Sequence, residues 1–172
     1  MLERSDLEPL FFAPFVSSIM RVEPTWIDYN GHLNMAYYNV LFDRAVDEAY
    51  ELLGIGLDYV KQRQAFGHKI IDFQNTQFVL AECKSEATIA KVFLDHCIER
   101  HVKGELDTVT ASMAKYWHTD LVGTIVDRCL QLFGGYGYMD EYPISRLYRD
   151  ARVMRIYAGT NEIMKLLIAR SL

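Results

Sequence analysis

Arg63 and Phe66 set a guanidinium close in sequence to an aromatic ring. A guanidinium carries several donors in a fixed fork that matches phosphate oxygens. The other reading of such an arginine is a plain surface charge. Gln131 is followed by the pair Gly134-Gly135. Glycines have no Cβ, so a dinucleotide can approach the main chain closely there; the same pair also reads as a helix C-cap followed by a turn. Gly159-Thr160-Asn161-Glu162 stands at the head of a helical pattern. Free N–H groups at a helix N-terminus favour anionic or acceptor atoms, and Thr160 is equally an ordinary N-cap. Asp28 precedes Asn30-Gly31-His32-Leu33-Asn34. A carboxylate beside a helix start is apt for attack on a carbonyl whose oxygen is held by backbone N–H groups as it gains charge. The bland alternative is a solvated turn carboxylate.

Other side chains point away from chemistry. Arg146, Arg149, Asp150 and Arg152 read as an ion-pair network between helices, and exposed pairs of that kind contribute about 0–1 kcal/mol. The five histidines show no metal-ligand spacing: His96 and His101 are five apart, and His68 and His118 stand alone. No metal site is expected. Cys83 and Cys97, fourteen residues apart, fall on one helix face. With Cys129 they read as small buried apolar residues of a reducing compartment. The net charge of -5 gives no general attraction to nucleic acid or anionic lipid. The first nine residues are polar with acidic groups, unlike a signal peptide. Phe11-Phe12-Ala13-Pro14-Phe15 is too short to span a bilayer. A soluble, cytoplasmic protein without membrane insertion is expected.

The elements that must position these groups are mostly helical. Residues 15–22 suit one short strand that stops before Pro24. From about Asn34 the pattern turns helical, with Met35, Tyr38, Phe42, Ala45, Ala49 and Leu52 at three- and four-residue steps. That phase continues across Gly54-Ile55-Gly56, since Val46, Leu53 and Val60 are seven apart. Two glycines cost about 1 kcal/mol each in a helix, so a kink or break there is the alternative to a single rod. Asp72 is the candidate cap of a helix over residues 73–103, with Leu80, Cys83, Ala87, Ala90, Leu94 and Cys97 as its buried face. Gly104 ends it. Asp107 caps a second long helix that ends at Gly134-Gly135, with Val109, Met113, Trp117, Ile125, Cys129 and Leu132 as its apolar positions. The short link makes these two helices antiparallel neighbours. Residues 136–143 are expected as a loop, residues 145–152 as a short helix or turn, and Thr160 as the cap of a last helix. The fold expected is all-α: an antiparallel four-helix-type bundle with a short C-terminal helix and a short N-terminal strand or arm.

From Leu57 onward the chain resembles the C-terminal domain of flavin-dependent acyl-CoA dehydrogenases. Arg63-Gln64-Ala65-Phe66-Gly67, Gln131-Leu132-Phe133-Gly134-Gly135-Tyr136-Gly137-Tyr138 and Ala158-Gly159-Thr160-Asn161-Glu162 carry the resemblance. Tyr116-Trp117 and the Gly-Thr-Asn-Glu ending resemble the long-chain and isovaleryl branch. The resemblance implies FAD as cofactor and α,β-dehydrogenation of acyl-CoA thioesters as the reaction. It implies that Arg63 contacts the pyrophosphate, that Phe66 packs by the adenine, and that Gln74 reaches the cofactor, often from a neighbouring subunit. Gln131, Gly134, Gly135, Thr160, Asn161 and Glu162 complete the cofactor set. A homo-oligomer (dimer or tetramer) and an electron-transfer flavoprotein are the implied partners. Many members carry the catalytic base just before Gly-Thr, where this chain has Ala158. The other branch supplies it from an earlier helix, at a position that counts back to about Tyr37, and no carboxylate lies between Asn30 and Leu41. The family's other two domains are not expected in the chain either, so the resemblance implies a catalytically incomplete unit.

Residues 15–56 resemble the opening of hotdog-fold acyl-CoA thioesterases, with Asp28, Gly31, His32 and Asn34 matching their loop. The expected division is therefore 1–56 and 57–172. Thioester hydrolysis by Asp28 is the alternative activity, and a non-catalytic helical oligomerisation or cofactor-binding module is the third reading.

Overall fold

The computed structural model describes residues 54–172. Asp28, Gly31, His32, Asn34 and the expected strand at 15–22 lie outside the described residues. What is described is all-α, apart from one two-residue hairpin.

Helix α1 occupies residues 54–62 and passes through Gly56 unbroken. Val60, fully buried, anchors it. The chain then makes a tight hairpin, β1 (Gln64–Ala65) with β2 (His68–Lys69), where Gln64 faces Lys69 and Ala65 faces His68. Phe66 and Gly67 form its two-residue turn, both with positive φ, 52° and 79°. That is the backbone a hairpin of this length requires.

Helix α2 spans Gln74–Val102, but Asp72 does not cap it. Phe73 is the N-cap residue and lends no side chain, because it adds one extended residue between Asp72 and the helix. Asp72 instead accepts from the Lys69 N–H at 3.2 Å and closes a 3-10 turn over Ile70–Asp72. Helix α3 spans Thr108–Phe133, and its cap is as the sequence predicts. Asp107 accepts from the Thr110 N–H at 2.8 Å and from its hydroxyl at 2.6 Å. Asp107→Ala is expected to cost about 1 kcal/mol in urea unfolding at neutral pH. The Thr110 hydrogen bonds hold this carboxyl below the ordinary carboxylate range. Its stabilisation is therefore present above the unfolded value of about 3.9 and is lost as pH falls through the lower folded value. A cap effect that stays constant down to strong acid would contradict this.

Helices α2 and α3 run antiparallel. Arg128 meets Glu86 at 3.0 Å toward one end and Arg100 meets Asp107 at 3.3 Å at the other. Between them the ring nitrogens of His118 lie 2.9 Å from the Ala90 carbonyl and 2.6 Å from that of Ala114. Cys83 and Leu94 of α2 pack on Val122, Ile125, Val126, Cys129 and Phe133 of α3. The N-terminal half of α3 departs from the expected apolar face. Met113 is exposed and Trp117 half-buried, while Ser112, Lys115, His118 and Thr119 are buried. Two of the buried polar groups, Lys115 and Thr119, meet Asn161 of the last helix, while His118 faces α2.

Gly134 ends α3 with φ 58°, and a 3-10 turn (Gly134–Tyr138) follows where a loop is expected. Gly137 is required there, since a Cβ would stand 2.6 Å from the Leu130 carbonyl oxygen. Helix α4 (Pro143–Val153) buries Ile144, Leu147 and Ala151 against α3. Two of the arginines expected in an inter-helix network turn instead to the loop before α4. Arg149 pairs with Asp140 at 3.2 Å and Arg146 donates to the Asp140 carbonyl, so both fasten the preceding turn. Helix α5 (Asn161–Ala169) starts at Thr160, whose hydroxyl accepts from the Ile163 N–H at 3.4 Å.

Candidate functional site

The end of α1, the carboxyl end of α3 with the 3-10 turn after it, and Ile70 and Thr76 at the approach to and start of α2 border an open cleft of about 640 Å³. Tyr59, Arg63, Gln131, Gly134, Gly135 and Tyr136 all line it. Sequence distance is closed here by one packing event: Tyr59 of α1 stacks on Phe133 of α3 with ring centres 3.9 Å apart. Tyr142 then sets its edge to both rings at 6.0 Å and stacks on Tyr136 at 5.0 Å. These four rings form one aromatic cluster, of which Tyr59, Phe133 and Tyr136 line the cleft. The Tyr59 hydroxyl, pushed up by burial, reaches the Phe133 carbonyl at 3.4 Å.

Arg63 stands at the mouth with its guanidinium carbon 5.1 Å from the centre of the Tyr136 ring. Among the described residues it has no carboxylate partner. The cleft lies at the C-terminal end of α3, where the helix dipole is negative, so an anion there depends on Arg63. At Gly134 and Gly135 a Cβ would meet nothing within 4 Å. The main chain is open at those two positions, and a side chain would take up space that a ligand could use. A dinucleotide fits this donor set: a fork for phosphate oxygens, bare main chain, and aromatic faces for a base.

The other predicted site residues lie elsewhere. Phe66 sits at the hairpin tip, 94% exposed, and Gln74 is exposed at the first turn of α2. Thr160, Asn161 and Glu162 gather at the start of α5, beside Lys115. Lys115 and Gln131 are sixteen positions apart on α3, about 24 Å along the axis. The described residues thus hold two groups on one helix, not a single cluster.

Asn161 is buried and its side chain is fully engaged. Its Oδ1 accepts from Lys115 Nζ at 2.7 Å and from the Thr119 hydroxyl at 3.1 Å. Its Nδ2 donates to the Tyr116 carbonyl at 3.2 Å and to Asp120 at 3.0 Å. Burial pushes the Lys115 ammonium below its ordinary range, against the pull of Asp120 and Glu162. Asp120 also holds Arg155 at 3.0 Å, and Gly123 makes room for that guanidinium, since a Cβ would meet Arg155 Nη2 at 2.5 Å. Glu162 is exposed, its carboxyl lowered by its own backbone N–H and the Thr160 hydroxyl. Ala158 and Gly159 enter α5 with φ 57° and 90°. The methyl of Ala158 can accept no proton.

The sequence missed Lys115, Thr119, Asp120 and Arg155. A usable signal existed: Lys115 and Thr119 stand four apart among apolar neighbours. Among the described residues no group of three or more His, Cys, Asp or Glu could hold a metal ion, and no helix is long and apolar enough to cross a membrane.

The family model for the acyl-CoA dehydrogenase C-terminal domain matches residues 36–172. The chain is 50% identical over 115 residues to the mitochondrial long-chain specific acyl-CoA dehydrogenase of Rattus norvegicus, covering 67% of this chain and 27% of that protein. The structure of acyl-CoA dehydrogenase from Geobacillus kaustophilus superposes with a TM-score of 0.76 at 42% identity, over 80% of this chain and 37% of that one. PigA, solved with FAD and proline, superposes with a TM-score of 0.74 at 26% identity, over 81% of this chain and 37% of that one. The chain thus spans between about a quarter and two fifths of the length of these relatives. The family match begins at residue 36, inside the stretch that resembles a thioesterase opening, and none of these findings supports that resemblance. Helical fold and matched relatives agree: this chain belongs to the acyl-CoA dehydrogenase family, of which it is the C-terminal helical domain.

Proposed function

We propose that this domain supplies one wall of an FAD site in an acyl-CoA dehydrogenase of the long-chain and isovaleryl branch, acting on acyl-CoA thioesters. The observation that carries it is the meeting of Arg63, Gln131, Gly134 and Gly135 in one cleft with the rings of Tyr59, Phe133 and Tyr136. Arg63 would hold the pyrophosphate, and the bare main chain at Gly134 and Gly135 would admit it. Thr160 and Glu162 stand ready at the other end of α3 for the flavin ring or for a neighbouring copy. Phe66, at its exposed tip, and Gln74 suit contact with a cofactor shared between subunits. When bound, FAD accepts the hydride; this chain's residues bind and orient it. Ala158 cannot take the substrate's α-proton, so the base comes from another part of the assembled enzyme, and the chain by itself is not expected to turn over. A homo-oligomer and an electron-transfer flavoprotein as electron acceptor follow from the same reading.

The test is gel filtration of the purified chain after incubation with FAD, with flavin absorbance followed across the protein peak. Flavin is expected to co-elute, and Arg63→Ala is expected to remove it while leaving the elution volume unchanged. A flavin-free peak from the parent chain would overturn the proposal. In the same preparation, thiol release from an acyl-CoA that disappears with Asp28→Ala would favour the hydrolytic alternative.

A further inference from the structure

Cys83 and Cys97 share a face of α2, yet their surroundings differ. Cys83 of α2 and Cys129 of α3 belong to one buried core cluster. Arg128, the residue before Cys129, reaches across to Glu82 and Glu86, which stand on either side of Cys83 in the sequence of α2. Its guanidinium is held in place by Glu86 at 3.0 Å and Glu82 at 3.9 Å. Both thiols are buried, at 4% and 1% exposure, but both line an apolar groove of about 990 Å³ bordered by Leu57, Leu80 and Ala87. Cys97 does not line it.

This grouping separates the three thiols chemically. The neighbouring Cys129 thiol and, after it, the Arg128 guanidinium lower the Cys83 pKa against the opposing effect of burial, whereas burial raises that of Cys97. A thiolate beside a cation is the reactive form of cysteine, and a second thiol in contact can trap its oxidised product.

We infer that Cys83 and Cys129 form an oxidation site for a small hydroperoxide entering by the groove, with Cys83 as the attacking sulfur and Cys129 as the resolving one. In the first step the Cys83 sulfur attacks one peroxide oxygen. An S–O bond forms, the O–O bond breaks, and the departing oxygen takes a proton to leave as water or an alcohol. In the second step the Cys129 sulfur, giving up its proton, attacks the Cys83 sulfur. The S–S bond forms, the S–O bond breaks, and the hydroxyl leaves as water with that proton. Two thiols are oxidised by two electrons in total and one peroxide is reduced. The product ties α2 to α3 along the groove wall.

The whole chain, fully reduced and desalted, is treated with a small excess of hydrogen peroxide. It is then denatured and blocked with N-ethylmaleimide for intact-mass measurement. The three free thiols are expected to fall to one, the mass to drop by two hydrogens before blocking, and dithiothreitol to restore all three. Peptide mapping is expected to find Cys83 joined to Cys129 and Cys97 carrying the maleimide. Cys97→Ser should leave the crosslink intact, and Cys83→Ser should abolish it. Three blockable thiols after peroxide, a link through Cys97, or Cys83 over-oxidised with Cys129 still free would each overturn the inference. The mapping on the parent chain decides the matter even if a variant does not fold.

Discussion

Asn161→Ala is expected to lower the stability of the chain by about 3 kcal/mol, read from the urea midpoint at unchanged slope. The side chain is 3% exposed and supplies the acceptor for Lys115 Nζ at 2.7 Å. Removing it leaves an ammonium in the interior without that oxygen and strips Asp120 of a donor. An uncompensated buried charge is costlier than the pair was favourable. Lys115→Met in the Asn161→Ala background should therefore recover part of the loss, because the stranded cation goes with it. If the two losses simply add, the buried-charge account fails. The pH dependence has a definite sign. Burial lowers the Lys115 pKa, so the folded state binds fewer protons than the unfolded one. The penalty stands in full at neutral pH and is relieved as pH rises through the folded value toward the unfolded value of about 10.4. Loss of the Asn161 oxygen removes stabilisation from the charged form, so the variant should gain more from alkaline pH than the parent.

Phe133→Ala is expected to cost about 3–5 kcal/mol and to weaken flavin binding in the same variant. Phe133 is buried, ends α3, and stacks on Tyr59 at 3.9 Å. Truncation opens a cavity under the cleft and frees Tyr59 and Tyr142 from the ring that spaces them. Phe133→Leu keeps most of the volume, so its stability cost should be clearly smaller while the stacking is still lost. Equal costs for the two variants would mean that volume does not set this site. A domain of this size has about 5–15 kcal/mol in total, so either change is a large fraction.

Features set by neighbours in sequence were legible. The cysteine-bearing stripe of α2, the Asp107 and Thr160 caps and the stop at Gly134 each depend on a few adjacent residues. Asp72 failed as a cap because a single extended residue, Phe73, decides whether a carboxylate serves a helix or the turn before it. Met113 was misplaced because an apolar residue reads as buried unless one knows what its helix packs against. The pairing of Lys115 with Asn161, 46 positions apart, is invisible to periodicity. Cys83 and Cys129 are equally distant, and helical spacing, which rightly put Cys83 and Cys97 on one face, cannot relate residues of two helices. The cleft was legible only through family likeness: nothing local says that Arg63 and Gln131 converge.

Asp120 serves three partners at once. It takes Arg155 from the α4–α5 link at 3.0 Å, Asn161 at the head of α5 at 3.0 Å, and Lys165 within α5 at 3.9 Å. A helix of nine residues held by separate contacts could fray from its free end, one turn at a time. Held through a common carboxylate, α5 and its approach lose their anchorage together. Amide protons in the link and in the first turn of α5 should then exchange with solvent at one shared rate, as a single cooperative segment.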